Sequence, residues 1–172
     1  MTSWLRRIFL PFLLLLAMLI VDGVAANVLQ VMLHHVSYLV VPAFCLITFI
    51  ILAIYTESDN LYYMALIIGF LYDAYYAGIL GINLFIFPVF IYLARYIFQR
   101  LPRNFFSVWL MTLLLYLSYQ LLIFAIYRLL NFQADQFAHY LLTYLFPSVL
   151  FNALIIFILH WSLEKFASWI QS

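Results

Sequence analysis

Long apolar runs alternate with short polar breaks along the whole chain. The runs cover about residues 8–26, 36–55, 61–77, 80–98, 105–130 and 137–163. Most come close to the roughly 20 residues a helix needs to cross a hydrocarbon core. Apolar residues are continuous within each run and do not alternate, which predicts helices and excludes a transmembrane β-barrel. The breaks are residues 27–35, Thr56–Asn60, Gly78–Gly81, Gln99–Asn104 and Asn131–Gln136, the last carrying Asp135. None is long enough to be a linker or a second domain. The pattern therefore predicts an all-α, polytopic membrane protein, one integral membrane domain of six transmembrane helices over residues 1–172.

Composition explains why no water-soluble fold is available. Hydrophobic residues make up 70% of the chain and charged residues 8%, against roughly 45–50% and about 25% in soluble domains. A net charge of +1 gives no footprint for nucleic acid. The basic residues instead read as topology signals. With six helices, Arg6, Arg7, Arg95, Arg100, Arg103 and Lys165 fall on one side and only Arg128 on the other. The positive-inside rule then predicts that both termini are cytoplasmic. Arg6 and Arg7 precede an apolar stretch from Ile8 to Val21, and Val24-Ala25-Ala26 loosely fits a small-residue cleavage site, but Asp22 lies just before that site, so a retained first helix is expected. Trp4, Tyr55, Tyr62, Tyr63, Trp109, Tyr140, Trp161 and Trp169 lie near run ends and fit an interfacial aromatic belt.

The polar residues inside the runs change the picture most, because a charge at the bilayer centre costs about 2.5–3.5 kcal/mol even on the lenient insertion scale. Asp73 lies well inside the third run, and Gly69, Asp73 and Ala77 share one helix face by their i, i+4, i+8 spacing. Small residues at this spacing let another helix approach closely, so Asp73 is expected to point into such a contact, either fixing internal packing or serving a partner or ligand site. Asp22 lies at a similar depth in the first run, and Arg128 near the same end of the fifth. Depth alone predicts that Arg128 pairs with Asp73 or Asp22, as one of three buried structural polar residues with Asp22 and Asn152. Gln120, Ser118 and Asn152 can hydrogen-bond across helices, and Arg95 can snorkel. Pro42, Pro88 and Pro147 should start, kink or locally unwind their helices, whereas Pro11 is tolerated in a first turn.

No enzymatic or metal chemistry is legible. Walker, nucleophile-elbow and zinc-protease patterns are absent, and the six acidic residues are scattered. Cys45 is the only cysteine and reads as a small apolar filler. His34, His35 and His160 do not have the spacing of a metal site. Neither a cofactor nor a catalytic residue is expected. Two function classes remain: a scaffold that binds partner helices, and a small-molecule binding or transport subunit with a pocket between kinked helices.

The run from Ala65 to Asn83, with Gly69, Asp73 four residues later and a small-residue turn through Gly78 closing on Leu80-Gly81, resembles the central signature of the MreD family. The chain length, the six-run plan, Pro42 opening the second helix and Pro147 in the last are also similar. The resemblance implies a non-enzymatic scaffold in the bacterial inner membrane that supports cell-wall elongation and rod shape. It implies MreC as direct partner, with MreB filaments and the elongation glycosyltransferase–transpeptidase pair acting indirectly. It also implies a fold like that of the substrate-binding subunits of energy-coupling-factor vitamin transporters, which makes such a subunit the alternative. Those subunits usually carry an A-x-x-x-A pattern on the first helix, which Ala17, Ala25 and Ala26 do not make. On this reading the partner surface surrounds Gly69, Asp73, Gly78 and Gly81, and a bulky residue at Gly69 should break complex formation more than folding.

Overall fold

The structure is a computed structural model of the chain, and it describes residues 5–33, 35, 38–131 and 137–171. The described residues form six helical segments, with no strand among them. These are α1 (5–32), α2 (Phe44–Tyr55), α3 (60–77), α4 (Ile82–Phe98), α5 (Phe105–Leu129) and α6 (137–171). Three of them contain a wider π-helical turn: Leu5–Phe9 in α1, Asp73–Ala77 in α3 and Leu141–Leu145 in α6. Each apolar run thus corresponds to one helical segment. α1 continues to Met32 and α6 to residue 171, both beyond their expected ends.

The second run departs from expectation. It was expected to be helical from Val36, but the helix begins at Phe44 and residues 38–43 are non-helical. Pro42 supplies the reason: it has no N–H to donate and disfavours helical geometry at Val41. Val36 itself, like Trp4, His34 and Asp135, lies outside the described residues. The remaining helix of 12 residues is about 18 Å long, well short of a hydrocarbon core of about 30 Å.

That short helix is nevertheless the centre of the molecule. Every residue from Cys45 to Ile54 is buried, and all five other helices pack against α2. A helix apolar on every side is stable only when enclosed. Leu15 and Leu19 of α1, Ile68 of α3, Phe87 and Ile91 of α4, Tyr116 of α5 and Ile156 of α6 complete the core around it. The exterior is also apolar, through Ile20, Val24 and Val31 on α1, Phe85 and Val89 on α4, and Leu154, Phe157 and Ile158 on α6. An apolar exterior around a packed apolar core is what lipid, and not water, accommodates. Arg6–Met32, Phe105–Leu129 and Phe137–Ile170 are long and apolar enough to cross a membrane, and Phe44–Tyr55 and Ile82–Phe98 are shorter apolar helices.

One end of the bundle is basic. The Arg6 guanidinium lies 4.9 Å from the Trp169 ring centroid, which brings the start of α1 against the end of α6. Arg95, expected to snorkel, is only 18% exposed and is held in place. It donates to the carbonyls of Thr56 and Ser58 at 3.1 and 2.7 Å and lies 3.5 Å from the Asp59 carboxylate, tying the α2–α3 turn to α4. Arg128 lies at the far end, since the 25 residues of α5 span about 37 Å.

Candidate functional site

A helix start leaves backbone N–H groups without intrahelical partners. In lipid there is no water to satisfy them. α2 and α4 both start at the far end of the bundle, and each receives a buried aspartate from the helix before it.

At α4 the aspartate is Asp73, fully buried at the start of the π-turn of α3. One carboxylate oxygen accepts from the Asn83 N–H at 2.9 Å and the Asn83 Nδ2 at 2.8 Å. The other accepts from the Gly81 and Leu84 N–H groups at 2.9 and 3.1 Å. The partial positive charge of the helix start, together with these four donors, is what keeps a carboxylate in an apolar interior. Gly69 lies one turn before Asp73. A Cβ there would sit 2.6 Å from the Asn83 carbonyl oxygen and 2.9 Å from Leu84 Cα, both backbone atoms. Gly69 therefore lets α4 approach closely enough for Asp73 to reach it. Gly78 and Gly81 have φ of +67° and +106°, left-handed conformations that close the turn and favour glycine.

The four motif residues are thus one device, an internal clasp between α3 and α4. The small-residue face was expected to receive a helix, and the helix beside Gly69 and Asp73 is α4 of the same chain. Of the four, Gly78 is exposed and Gly81 half-buried.

At α2 the aspartate is Asp22. It accepts from the Phe44 N–H at 2.6 Å and the Cys45 N–H at 3.1 Å. The non-helical residues ahead of α2 are satisfied by side chains of α5 and α6. Val41 N–H donates to Ser148 Oγ at 2.9 Å, and Ala43 N–H to Asn152 Oδ1 at 3.0 Å. The Val41 carbonyl accepts from Asn152 Nδ2 at 2.8 Å and from the Tyr116 hydroxyl at 3.1 Å. Asn152 is fully buried and bridges α6 to this segment.

These contacts overturn the pairing expected for Arg128. Both carboxylates are occupied by backbone N–H groups, so neither calls for a cation. Arg128 is exposed, with its guanidinium 5.9 Å from the Phe124 ring centroid, and is not a buried structural residue. Tyr140 also leaves the expected aromatic belt: it is buried, stacks on Phe124 at 4.3 Å and donates to the Gln120 carbonyl at 3.2 Å.

Several residues here escaped the sequence reading. Asn83 joins Asp73 to the Tyr119 hydroxyl, which donates to Asn83 Oδ1 at 2.8 Å. Tyr119, Asn83, Tyr72, Gln120 and Ser148 line a cleft of about 240 Å³ between the two helix starts. The available signal for Asn83 was its place as a polar residue in the first turn after Gly81. Ser148 and Tyr116 carry none, because apolarity alone predicts a helix for the segment they serve. Among the described residues no three His, Cys, Asp or Glu side chains group as metal ligands.

The family model described as rod shape-determining protein MreD matches residues 6–170. The chain belongs to the MreD family. The rod shape-determining protein MreD of Bacillus subtilis (strain 168) is 26% identical to it over 148 residues, covering 86% of each chain. No solved structure matches. For an MreD-family chain, a rod shape-determining membrane protein, the aspartate clasps are structural chemistry that fixes where helices start.

Proposed function

We propose that this MreD-family chain is a non-enzymatic scaffold of the cell-wall elongation machinery that binds MreC and so helps regulate peptidoglycan synthesis. It crosses the cytoplasmic membrane six times, with the basic end of the bundle at the cytoplasmic face. The supporting observation is the family match over residues 6–170. The elongation glycosyltransferase–transpeptidase pair and MreB are engaged indirectly, through MreC.

The partner surface we assign is the exposed turn that the Asp73 clasp holds in place. Tyr75 is 74% exposed and Leu80 64% exposed, with Gly78 between them. A rigid turn with an aromatic and an aliphatic side chain, at the extracytoplasmic end, suits a single-span partner that continues into an outer domain. Gly69 and Asp73 act on this surface by positioning it.

The test is crosslinking in native membranes followed by affinity purification and mass spectrometry, comparing the wild type with Tyr75→Ala/Leu80→Ala. The expected result is MreC with the elongation synthases for the wild type, and their loss from the variant at an unchanged melting temperature. Recovery of a transmembrane coupling subunit with two ATPases, and no MreC, would instead establish a vitamin transporter subunit.

A further inference from the structure

A second cavity, of about 540 Å³, lies at the basic end, a bundle length from the aspartate clasps. Its inner wall is apolar, from Pro11 of α1, Leu52 of α2, and Leu61 and Met64 of α3. Its rim carries Arg7 from the first turns of α1 and Arg103 from the α4–α5 connection, with Ser58 and Glu57 from the α2–α3 turn. Other arginines at this end are engaged: Arg6 on Trp169, Arg95 on the Thr56 and Ser58 carbonyls, and Arg100 on the Tyr96 hydroxyl at 2.8 Å. Arg7 and Arg103 form no ion pair among the described residues, and both are exposed. Among the residues that line the cavity, two arginines stand against the one carboxylate of Glu57, so the lining itself carries net positive charge. The first turn of α3 also faces the cavity through Asn60 and Leu61, which adds the positive end of a helix dipole.

An occupant of this cavity must carry negative charge at the interface and hydrocarbon just below it. A soluble anion leaves the wall of Pro11, Leu52, Leu61 and Met64 unfilled, and an apolar chain alone leaves the guanidinium groups unanswered. We propose that this cavity is a headgroup site for an anionic phospholipid, with Arg7 and Arg103 holding the phosphate and the Leu52–Leu61–Met64 wall receiving the upper acyl chain. Basic pockets between helices at a membrane interface bind such headgroups through general electrostatics, and a guanidinium matches a phosphate with paired donors.

The full chain is reconstituted with equal amounts of phosphatidylglycerol and phosphatidylcholine of the same acyl chains, released into mild detergent, and its retained lipid counted by native mass spectrometry. Preferential retention of phosphatidylglycerol is expected. Arg7→Ala and Arg103→Ala should each lower that retention about fivefold. The lysine variants should keep most of it, and Arg128→Ala at the other end should leave it unchanged. Glu57→Gln, which removes the opposing charge without deleting a contact from the wall, should raise it. Equal retention of the two lipids, or full retention by the Arg7→Ala/Arg103→Ala protein, would overturn the site. Displacement of phosphatidylglycerol by equimolar glycerol 3-phosphate would also overturn it, by identifying a plain anion site.

Discussion

At the scale of single residues, the buried carboxylates decide the most. Asp73→Ala leaves four donors facing an apolar interior, each unsatisfied group costing about 1–3 kcal/mol. The variant should lose several degrees or more of thermal stability in detergent, or fail to accumulate. Asp73→Asn keeps the shape but turns an NH2 toward backbone N–H donors, so it should fall between wild type and alanine; a melting temperature equal to wild type would contradict the clasp. Gly69→Ala forces a Cβ against backbone and should cost about 1–3 kcal/mol. It should therefore act on folding before it acts on partner binding, the reverse of what the helix-face pattern alone implied. Arg128→Leu should shift stability by no more than about 0.5 kcal/mol, as at other exposed sites. Asp73 stood out in the sequence because a charge inside an apolar run is conspicuous. Its partners did not, because backbone N–H groups carry no sequence signature, and an arginine at matching depth was the only cation in view.

Among the elements, α2 is the one whose identity the hydropathy of the chain obscured. Residues 36–55 are apolar but for Ser37 and Thr48, and apolarity measures burial without distinguishing helix from irregular chain. Pro42 marked the boundary, and the side chains that replace the missing helical bonds lie more than 70 residues away in sequence, at Tyr116, Ser148 and Asn152. Asn152→Leu keeps the volume and removes both of its bonds to this segment, leaving the Ala43 N–H unpaired. It should destabilise by about 1–3 kcal/mol, and hydrogen exchange should show the loss concentrated at residues 38–45. Exchange raised evenly over the whole protein would mean that Asn152 supports packing in general and not this segment. The other helix ends agreed with expectation to within a few residues, except where α1 and α6 run on past it.

For the whole molecule, the asymmetry of charge was legible from the start, because arginines and lysines mark an interface whatever the lateral order of the helices. The structure brings Arg6, Arg7, Arg95 and Arg103 together at one end of the bundle, and the proposed six crossings would put that end at the cytoplasmic face. A membrane-impermeant thiol reagent should therefore label Leu80→Cys in intact spheroplasts and label Ser58→Cys only after the membrane is opened; the opposite pattern would invert the topology. Native Cys45 is buried and should stay silent in both cases. What no hydropathy pattern could provide is the enclosure of α2 by all five other helices. That enclosure bears on how the protein is made. α2 leaves the ribosome early, yet Ser148 and Asn152, which complete the hydrogen bonding of residues 41 and 43, leave it among the last. Through most of translation the middle of the molecule must wait with unpaired backbone inside the translocon or beside it. A nascent chain arrested before residue 137 should be inserted but open to protease around Pro42, and protection should arrive only when α6 does.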